Sequence, residues 1–192
     1  MTPAEYHQLK AFARIDGALL ALLWITSFAL YVKGLENPTL GMLSLVLLSV
    51  SPFFAAKRLR KFRDKVREGI ISFKRGYAYI ILTFFYSGLL VALAMWAYFQ
   101  WMDHGFLLAK FTEMANMPQT VQLGLKDMLQ ESLNQMALMR PIDYSLNVLT
   151  MTILAGFALG LPIAALLQHR APNTPNTPPK LGGWGSEQEN NI

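Results

Sequence analysis

Cysteine is absent from the 192-residue chain, and charged residues make up only 15% of it. The lack of cysteine excludes disulfides, thiolate metal sites, thiol catalysis and a lipid anchor on cysteine. The charged fraction is well below the roughly 25% of ordinary soluble domains, which argues against a soluble fold. Nucleotide-binding glycine loops, serine nucleophile motifs and paired carboxylate motifs are also missing. We therefore predict no catalytic residue, no cofactor and no metal site, and we expect the protein not to be an enzyme.

Apolar residues, by contrast, are 53% of the chain and fall into four long blocks. A helix needs about 20 apolar residues to cross the roughly 30 Å hydrocarbon core of a bilayer. We therefore predict an all-α integral membrane protein whose residues 1–170 form four transmembrane helices, at about 15–32, 40–56, 77–99 and 146–167. Residues 171–192 are rich in proline and glycine, which predicts a disordered tail.

The direction of the spans follows from the distribution of lysine and arginine. Nine of these residues lie in one segment, residues 57–75, between the second and third blocks. Because basic loops resist translocation, this segment is expected on the cytoplasmic side of the membrane. Both termini are then cytoplasmic, and residues 100–141 form an outer loop between the third and fourth spans.

The outer loop contains two predicted amphipathic helices. From Gln119 to Met136, apolar residues recur at steps of three and four with polar residues opposite them, which is typical of a helix with one apolar face. A shorter helix is expected around residues 106–114, with Pro118 separating the two. The pattern leaves open whether these helices lie on the membrane surface or pack against the bundle.

The basic segment is also amphipathic, because Leu59, Phe62, Val66, Ile70 and Phe73 recur at helical spacing among the basic residues. Such a helix can bind an anionic leaflet. The predicted contacts with anionic lipid are Lys57, Arg58, Arg60, Lys61, Arg63, Lys65 and Arg67. The alternatives are that these charges only set the topology, or that they bind an acidic partner. Nucleic acid is not expected as a partner.

Small residues recur at every fourth position of the last block, at Thr152, Gly156, Gly160 and Ala164. Gly88 and Ala92 repeat this spacing in the third block. Small side chains allow two helices in lipid to approach closely. We predict helix packing at these residues, either within the monomer between the third and fourth spans or between copies of the chain.

Two carboxylates lie near the ends of predicted spans. Asp16 is close to Arg14, and Asp143 follows Pro141 at a helix start, so we expect both to be interfacial. The alternative is an ion or proton relay, since an ionisable residue inside lipid is expensive and is usually functional. His7, His104 and His169 share no metal-binding spacing.

The stretch from Phe62 to Tyr77 resembles a family of small bacterial membrane proteins known as domain of unknown function 4199. The matching residues are Arg63, Asp64, Lys65, Gly69, Ile71, Ser72 and Phe73. The layout of residues 12–169, with a long polar insertion before the last span, is also similar to that family. The resemblance implies a bacterial inner-membrane location, and it implies no activity, cofactor or catalytic residue.

The functional hypothesis rests on these surfaces and on exclusion. We expect a non-enzymatic inner-membrane protein that acts as an accessory or scaffold partner of another envelope component. The expected partners are anionic lipid headgroups on the cytoplasmic side, and another membrane protein or a second copy of the chain. One alternative is a small oligomeric transporter or channel. Another is an enzyme that modifies envelope lipids through a site that the sequence does not reveal.

Overall fold

Long helices dominate the computed structural model, which describes residues 3–169. These residues form eight α-helices: α1 (Pro3–Gly34), α2 (Pro38–Ser49), α3 (Ser51–Val66), α4 (Phe73–Trp101), α5 (Phe106–Ala115), α6 (Pro118–Gln122), α7 (Lys126–Leu138) and α8 (Pro141–Leu167). Four stretches are long and apolar enough to cross a membrane, namely α1, the consecutive pair α2 and α3, α4, and α8. The prediction of an all-α membrane protein with four spans is therefore confirmed. The predicted disordered tail lies outside the described residues.

The start of α1, helix α3, the start of α4 and the end of α8 meet at one end of the bundle, which we call the basic end. A short backbone bridge helps to join them there. The amide of Ile71 donates to the His169 carbonyl at 3.0 Å, and the amide of His169 donates back at 2.9 Å. This bridge ties the loop before α4 to the residues that follow α8. The first and last described helices therefore have their outer termini at the same end.

The second span is broken where α2 meets α3. Pro52 has no amide hydrogen, so it cannot donate to the carbonyl of Leu48 one turn earlier. The hydroxyl of Ser51 donates to that carbonyl instead, at 2.6 Å, and accepts a hydrogen bond from the Trp24 ring nitrogen at 2.6 Å. A side chain thus satisfies the backbone group that proline leaves free, as a break within lipid requires.

The two halves of this broken span have different neighbours. Helix α2 packs mainly against α1, whereas α3 contacts α1, α4 and α8. Reciprocal hydrogen bonds hold α2 to α1, since each hydroxyl of Ser27 and Ser44 donates to the backbone carbonyl of the other serine, at 2.9 and 2.8 Å. The second span therefore packs into the bundle only through α3, after the break.

The loop between α4 and α8 differs from the sequence-based prediction in one respect. The single amphipathic helix expected from Gln119 to Met136 is divided into α6 and α7. Gly124 lies between them with a φ of +67°, a left-handed conformation that ends a helix readily at glycine. The shorter predicted helix corresponds to α5, which packs against α7. The spacing of apolar residues predicts helix in this region, but it does not reveal the interruption at Gly124.

Candidate functional site

The exposed side of α3 forms a cluster of positive charge. Lys57, Arg60, Lys61 and Lys65 are all exposed, and we call this set the basic face. Their spacing of three and four places them on one side of the helix. The opposite side of α3 buries Ala55, Leu59 and Phe62 against the rest of the basic end. The bundle therefore holds α3 by its apolar side and presents its basic side outward.

The other three basic residues of the predicted lipid-contact set point elsewhere. Arg58 forms an ion pair with Asp16 on α1. Arg63 donates to Asp64 at 2.7 Å and to the carbonyl of Leu167, at the end of α8, at 3.2 Å. Arg67 pairs with Glu5 on α1 at 2.9 Å. These three side chains are only 16–24% exposed. The predicted set therefore divides into an exposed group of four residues and a paired group of three.

Asp16 is the most buried charged group of the basic end, and its side chain is only 4% exposed. One carboxylate oxygen pairs with Arg58, and the other accepts a hydrogen bond from the hydroxyl of Tyr79 on α4. The Tyr79 ring stacks on Phe62 of α3, with 4.8 Å between the ring centroids. Asp16, Arg58 and Tyr79, which we call the Asp16 cluster, therefore connect α1, α3 and α4. The folded bundle therefore encloses the Asp16 side chain, and its location at the membrane interface stays a prediction.

A second ionic contact ties the start of α1 to both sides of the loop after α3. The Glu5 carboxylate accepts from Arg67 at 2.9 Å and from Arg75, near the start of α4, at 2.8 Å. Its partners lie 62 and 70 positions along the chain, so no local spacing could reveal them. Together with the Asp16 cluster, this contact holds α3 at Arg58 and just beyond its end at Arg67.

The sequence contains one signal for the Asp16 cluster. A carboxylate inside an apolar block is costly unless it has a partner. Arg58 is the first arginine after the second block, and antiparallel pairing of the first two spans brings it close to Asp16. The partner could thus be proposed from hairpin geometry. Tyr79 could not, because nothing in the sequence distinguishes it from neighbouring tyrosines.

The predicted small-residue positions form a continuous contact between α4 and α8, which we call the seam. A Cβ added at Gly156 would lie 2.7 Å from Phe84 Cβ, and one added at Gly160 would lie 3.0 Å from the Tyr77 ring. Further along, a Cβ at Gly88 would lie 3.0 Å from the methyl group of Thr152. Such distances leave no room for larger side chains.

At its basic end, the seam closes where Gly76 faces Ala164, with an added Cβ 3.6 Å from the Ala164 Cβ. At the other end, Ala92 is half-buried on α4. The seam thus joins α4 and α8, which are two antiparallel helices.

Asp143, the other carboxylate near a span end, is at the start of α8 and away from the basic end. It accepts from the Arg140 backbone amide at 2.9 Å and from the Arg140 side chain at 3.1 Å. These contacts cap the helix. In residues 3–169 there is also no group of three histidine, aspartate or glutamate side chains placed to hold a metal ion. The basic face and the Asp16 cluster are thus the strongest candidate site.

Comparison with known protein families agrees with this architecture. Residues 16–169 match the family model described as a protein of unknown function, DUF4199. The chain belongs to this family. The match begins at Asp16 and ends at His169, so it includes α1 from Asp16 onward, the other three candidate spans, the basic face and the seam. Searches of curated proteins and of solved structures each found no match.

Proposed function

We propose that this DUF4199 protein is a non-catalytic component of the bacterial inner membrane that acts as an accessory or scaffold, anchored on its cytoplasmic side by anionic lipid headgroups. The basic face is the observation that carries the proposal. Four exposed cations project from one side of α3, and the other side is committed to the bundle. The surface is therefore presented by a rigid support rather than by a free loop.

The orientation is part of the same proposal. Placing the basic end in the cytoplasm follows the positive-inside rule, since the opposite end carries only Lys33, Lys110, Lys126 and Arg140. Basic residues close to an anionic leaflet gain about 1 kcal/mol each. Arg58, Arg63 and Arg67 already have partners within the protein, so among the predicted lipid contacts the attraction is assigned to the four residues of the basic face.

A transporter remains the alternative hypothesis, for which the Asp16 cluster would be the natural ion site. Such a role requires an exchangeable polar group that faces a path through the bundle. The Asp16 carboxylate instead has Arg58 on one oxygen and Tyr79 on the other. This pairing favours a structural role for the cluster and therefore supports the scaffold proposal.

The proposal can be tested by measuring which lipids the purified protein retains. The protein is reconstituted into vesicles of equal phosphatidylglycerol and phosphatidylcholine, released in mild detergent, and analysed by native mass spectrometry. We expect a preference for phosphatidylglycerol that falls several-fold when the basic face is neutralised by Lys57→Gln, Arg60→Gln, Lys61→Gln and Lys65→Gln. Arg58, Arg63, Arg67, Lys74 and Arg75 are left unchanged, to preserve the topology and the internal ion pairs.

The matched control removes the same number of charges from the opposite end, by changing Lys33, Lys110, Lys126 and Arg140 to glutamine. This variant should keep the lipid preference. If both quadruple variants lose the preference equally, or neither does, the basic face is not the lipid contact.

A further inference from the structure

A cavity lies at the end of the bundle opposite the basic end, between the loop helices and the ends of two spans. It is lined by the end of α4, the start of α5, the end of α7 and the start of α8, and its volume is about 200 Å³. One water molecule needs only roughly 15 Å³ of such space, so a group of several non-hydrogen atoms has room here. The lining residues used below are Phe99, Asp103, Met136, Ala137 and Tyr144.

Asp103 brings a buried carboxylate to this cavity, since the residue is only 8% exposed. Its Oδ1 accepts from the Tyr98 hydroxyl at 3.0 Å and from the Leu107 amide at 3.2 Å. Its Oδ2 accepts from the Gly105 amide at 3.1 Å. A carboxylate offers about four acceptor positions, so one position on Oδ2 is left over. The three donors hold the carboxylate in place, but none of them is a cation.

No basic side chain neutralises Asp103. Among residues 3–169, no lysine, arginine or histidine side chain lies within ion-pair distance of it, because Lys110 and Arg140 pair with other carboxylates and His104 is exposed. The start of α5 offsets part of the charge, since the first amides of a helix act as about half a positive charge. The remainder is buried among mainly apolar side chains, where a charge without a partner is costly.

The other walls determine which kind of cation suits the cavity. The rings of Phe99 and Tyr144 stack with 4.1 Å between their centroids. The Tyr144 hydroxyl donates to the Met136 carbonyl at 2.8 Å and can still accept through its oxygen. Aromatic rings attract organic ammonium groups, whereas calcium or magnesium needs several oxygen ligands. Since the described part of the chain places no three histidine, aspartate or glutamate side chains to hold a metal ion, an organic cation fits better.

We propose that this cavity binds an organic ammonium group, with Asp103 as its charged partner and Phe99 and Tyr144 as its aromatic walls. Such a group occurs in the head group of a zwitterionic phospholipid and in free small amines. The cavity lies where α4 ends and α8 begins, which is the level of the headgroups when these helices span a bilayer. The site is at the other end of the bundle from the basic face, and it does not depend on the proposed binding of anionic lipid there.

The test uses the intact protein in a neutral detergent and follows its melting temperature as a ligand is added, because a ligand that binds only the folded state raises that temperature. The ligands are ethanolamine hydrochloride and dihexanoyl phosphatidylethanolamine, and sodium chloride at equal ionic strength is the reference. We expect both ligands to raise the melting temperature above the reference. Two changes should each weaken the apparent affinity several-fold: Asp103→Asn, which removes the charge, and Ala137→Phe, which fills the cavity.

Each variant has a matched control. Asp143→Asn removes a carboxylate that pairs with Arg140 instead, and Leu138→Phe adds a ring at the next position, which is 85% exposed. Both controls should bind ethanolamine like the parent protein. If Asp103→Asn does not fold, Ala137→Phe decides the question, because Ala137 is exposed at the rim and tolerates a larger side chain.

The two ligands also separate the two sources of the ammonium group. Tighter binding of the phospholipid than of ethanolamine assigns the cavity to a lipid head group, and the reverse order assigns it to a free amine. Equal shifts with ethanolamine and sodium chloride, or an affinity that a folded Asp103 or Ala137 variant keeps, would overturn the proposal. So would an equal loss of affinity in the controls.

Discussion

At the scale of single residues, the partner of each charged group determines its role. Arg58 and Lys57 are adjacent in sequence and both basic, yet Arg58 is paired with buried Asp16 and Lys57 is exposed. Arg63 and Arg67 are likewise paired, whereas Arg60, Lys61 and Lys65 are exposed. The local composition of α3 is therefore a poor guide to the task of any one of its basic residues.

Replacing Arg58 by methionine tests this division directly. Loss of the guanidinium leaves the Asp16 carboxylate buried with only Tyr79 as a partner. Breaking a buried ion pair in this way typically costs 3–5 kcal/mol, and we expect about 3 kcal/mol because one hydrogen bond remains. Thermal unfolding in detergent measures the loss of stability.

Lys57→Met is the matched control, since it removes one exposed charge at the neighbouring position and should change stability by less than about 0.5 kcal/mol. The double change Asp16→Leu with Arg58→Met should restore much of the loss, because no unpaired charge remains. Equal stability of the Arg58 and Lys57 variants would show that the ion pair contributes nothing.

At the scale of helices, two different kinds of contact hold the spans together. Helices α1 and α2 use hydrogen bonds between Ser27 and Ser44, whereas α4 and α8 use close packing at glycine. In lipid, helices gain little hydrophobic energy from contact with each other. Hydrogen bonds and close packing therefore supply the stabilisation between these helices. Within the described residues, the contact between α4 and α8 at the seam is the most extensive of any helix pair.

The seam predicts a strong effect of very small substitutions. Gly156→Ala places a methyl group 2.7 Å from Phe84 Cβ, which forces α4 and α8 apart or moves the ring. Overpacking of this kind typically costs about 1–3 kcal/mol. The melting temperature in detergent should fall accordingly, and Gly156→Leu should lower it further.

Leu154→Ala is the control on the same helix, since Leu154 is 54% exposed on the outward side. Its removal should have a much smaller effect in a detergent micelle, because lipid or detergent replaces the lost contacts. If the glycine variants melt like the parent protein, close packing at the seam does not contribute to stability.

At the scale of the whole molecule, the two ends of the bundle are unequal. The basic end has a buried core, two inter-helix ionic contacts and a backbone bridge. The opposite end has α2 standing away from α4 and a loop of short helices in which few residues are buried. We expect the basic end to be the more rigid part of the molecule and the better platform for docking.

The orientation of the whole molecule leads to a topology prediction. Reporter domains inserted after Arg67, inserted near Gln122, and fused to the carboxyl terminus should read as cytoplasmic, external and cytoplasmic respectively. The physical reason is that the basic end resists translocation. A reporter that is active only outside the cytoplasm and one that is active only inside it give opposite signals, so each serves as the control for the other. Any other order of locations would contradict the proposed topology.

The sequence by itself determined the fold class and the four spans, because a bilayer imposes a length and an apolar composition on every helix that crosses it. It also identified the small residues of the seam and the amphipathic pattern of α3. These are local properties, because each depends only on residues that lie close together in the sequence.

Only the tertiary structure decided which residues meet across the bundle. It paired Asp16 with Arg58 and Tyr79, divided the basic residues of α3 into exposed and paired groups, and kept α2 apart from α4. Such contacts depend on the angle at which helices leave a break such as Ser51 and Pro52, and on which faces then oppose each other. The Asp16 carboxylate is buried because three helices close around it, and spacing along the chain cannot show such burial.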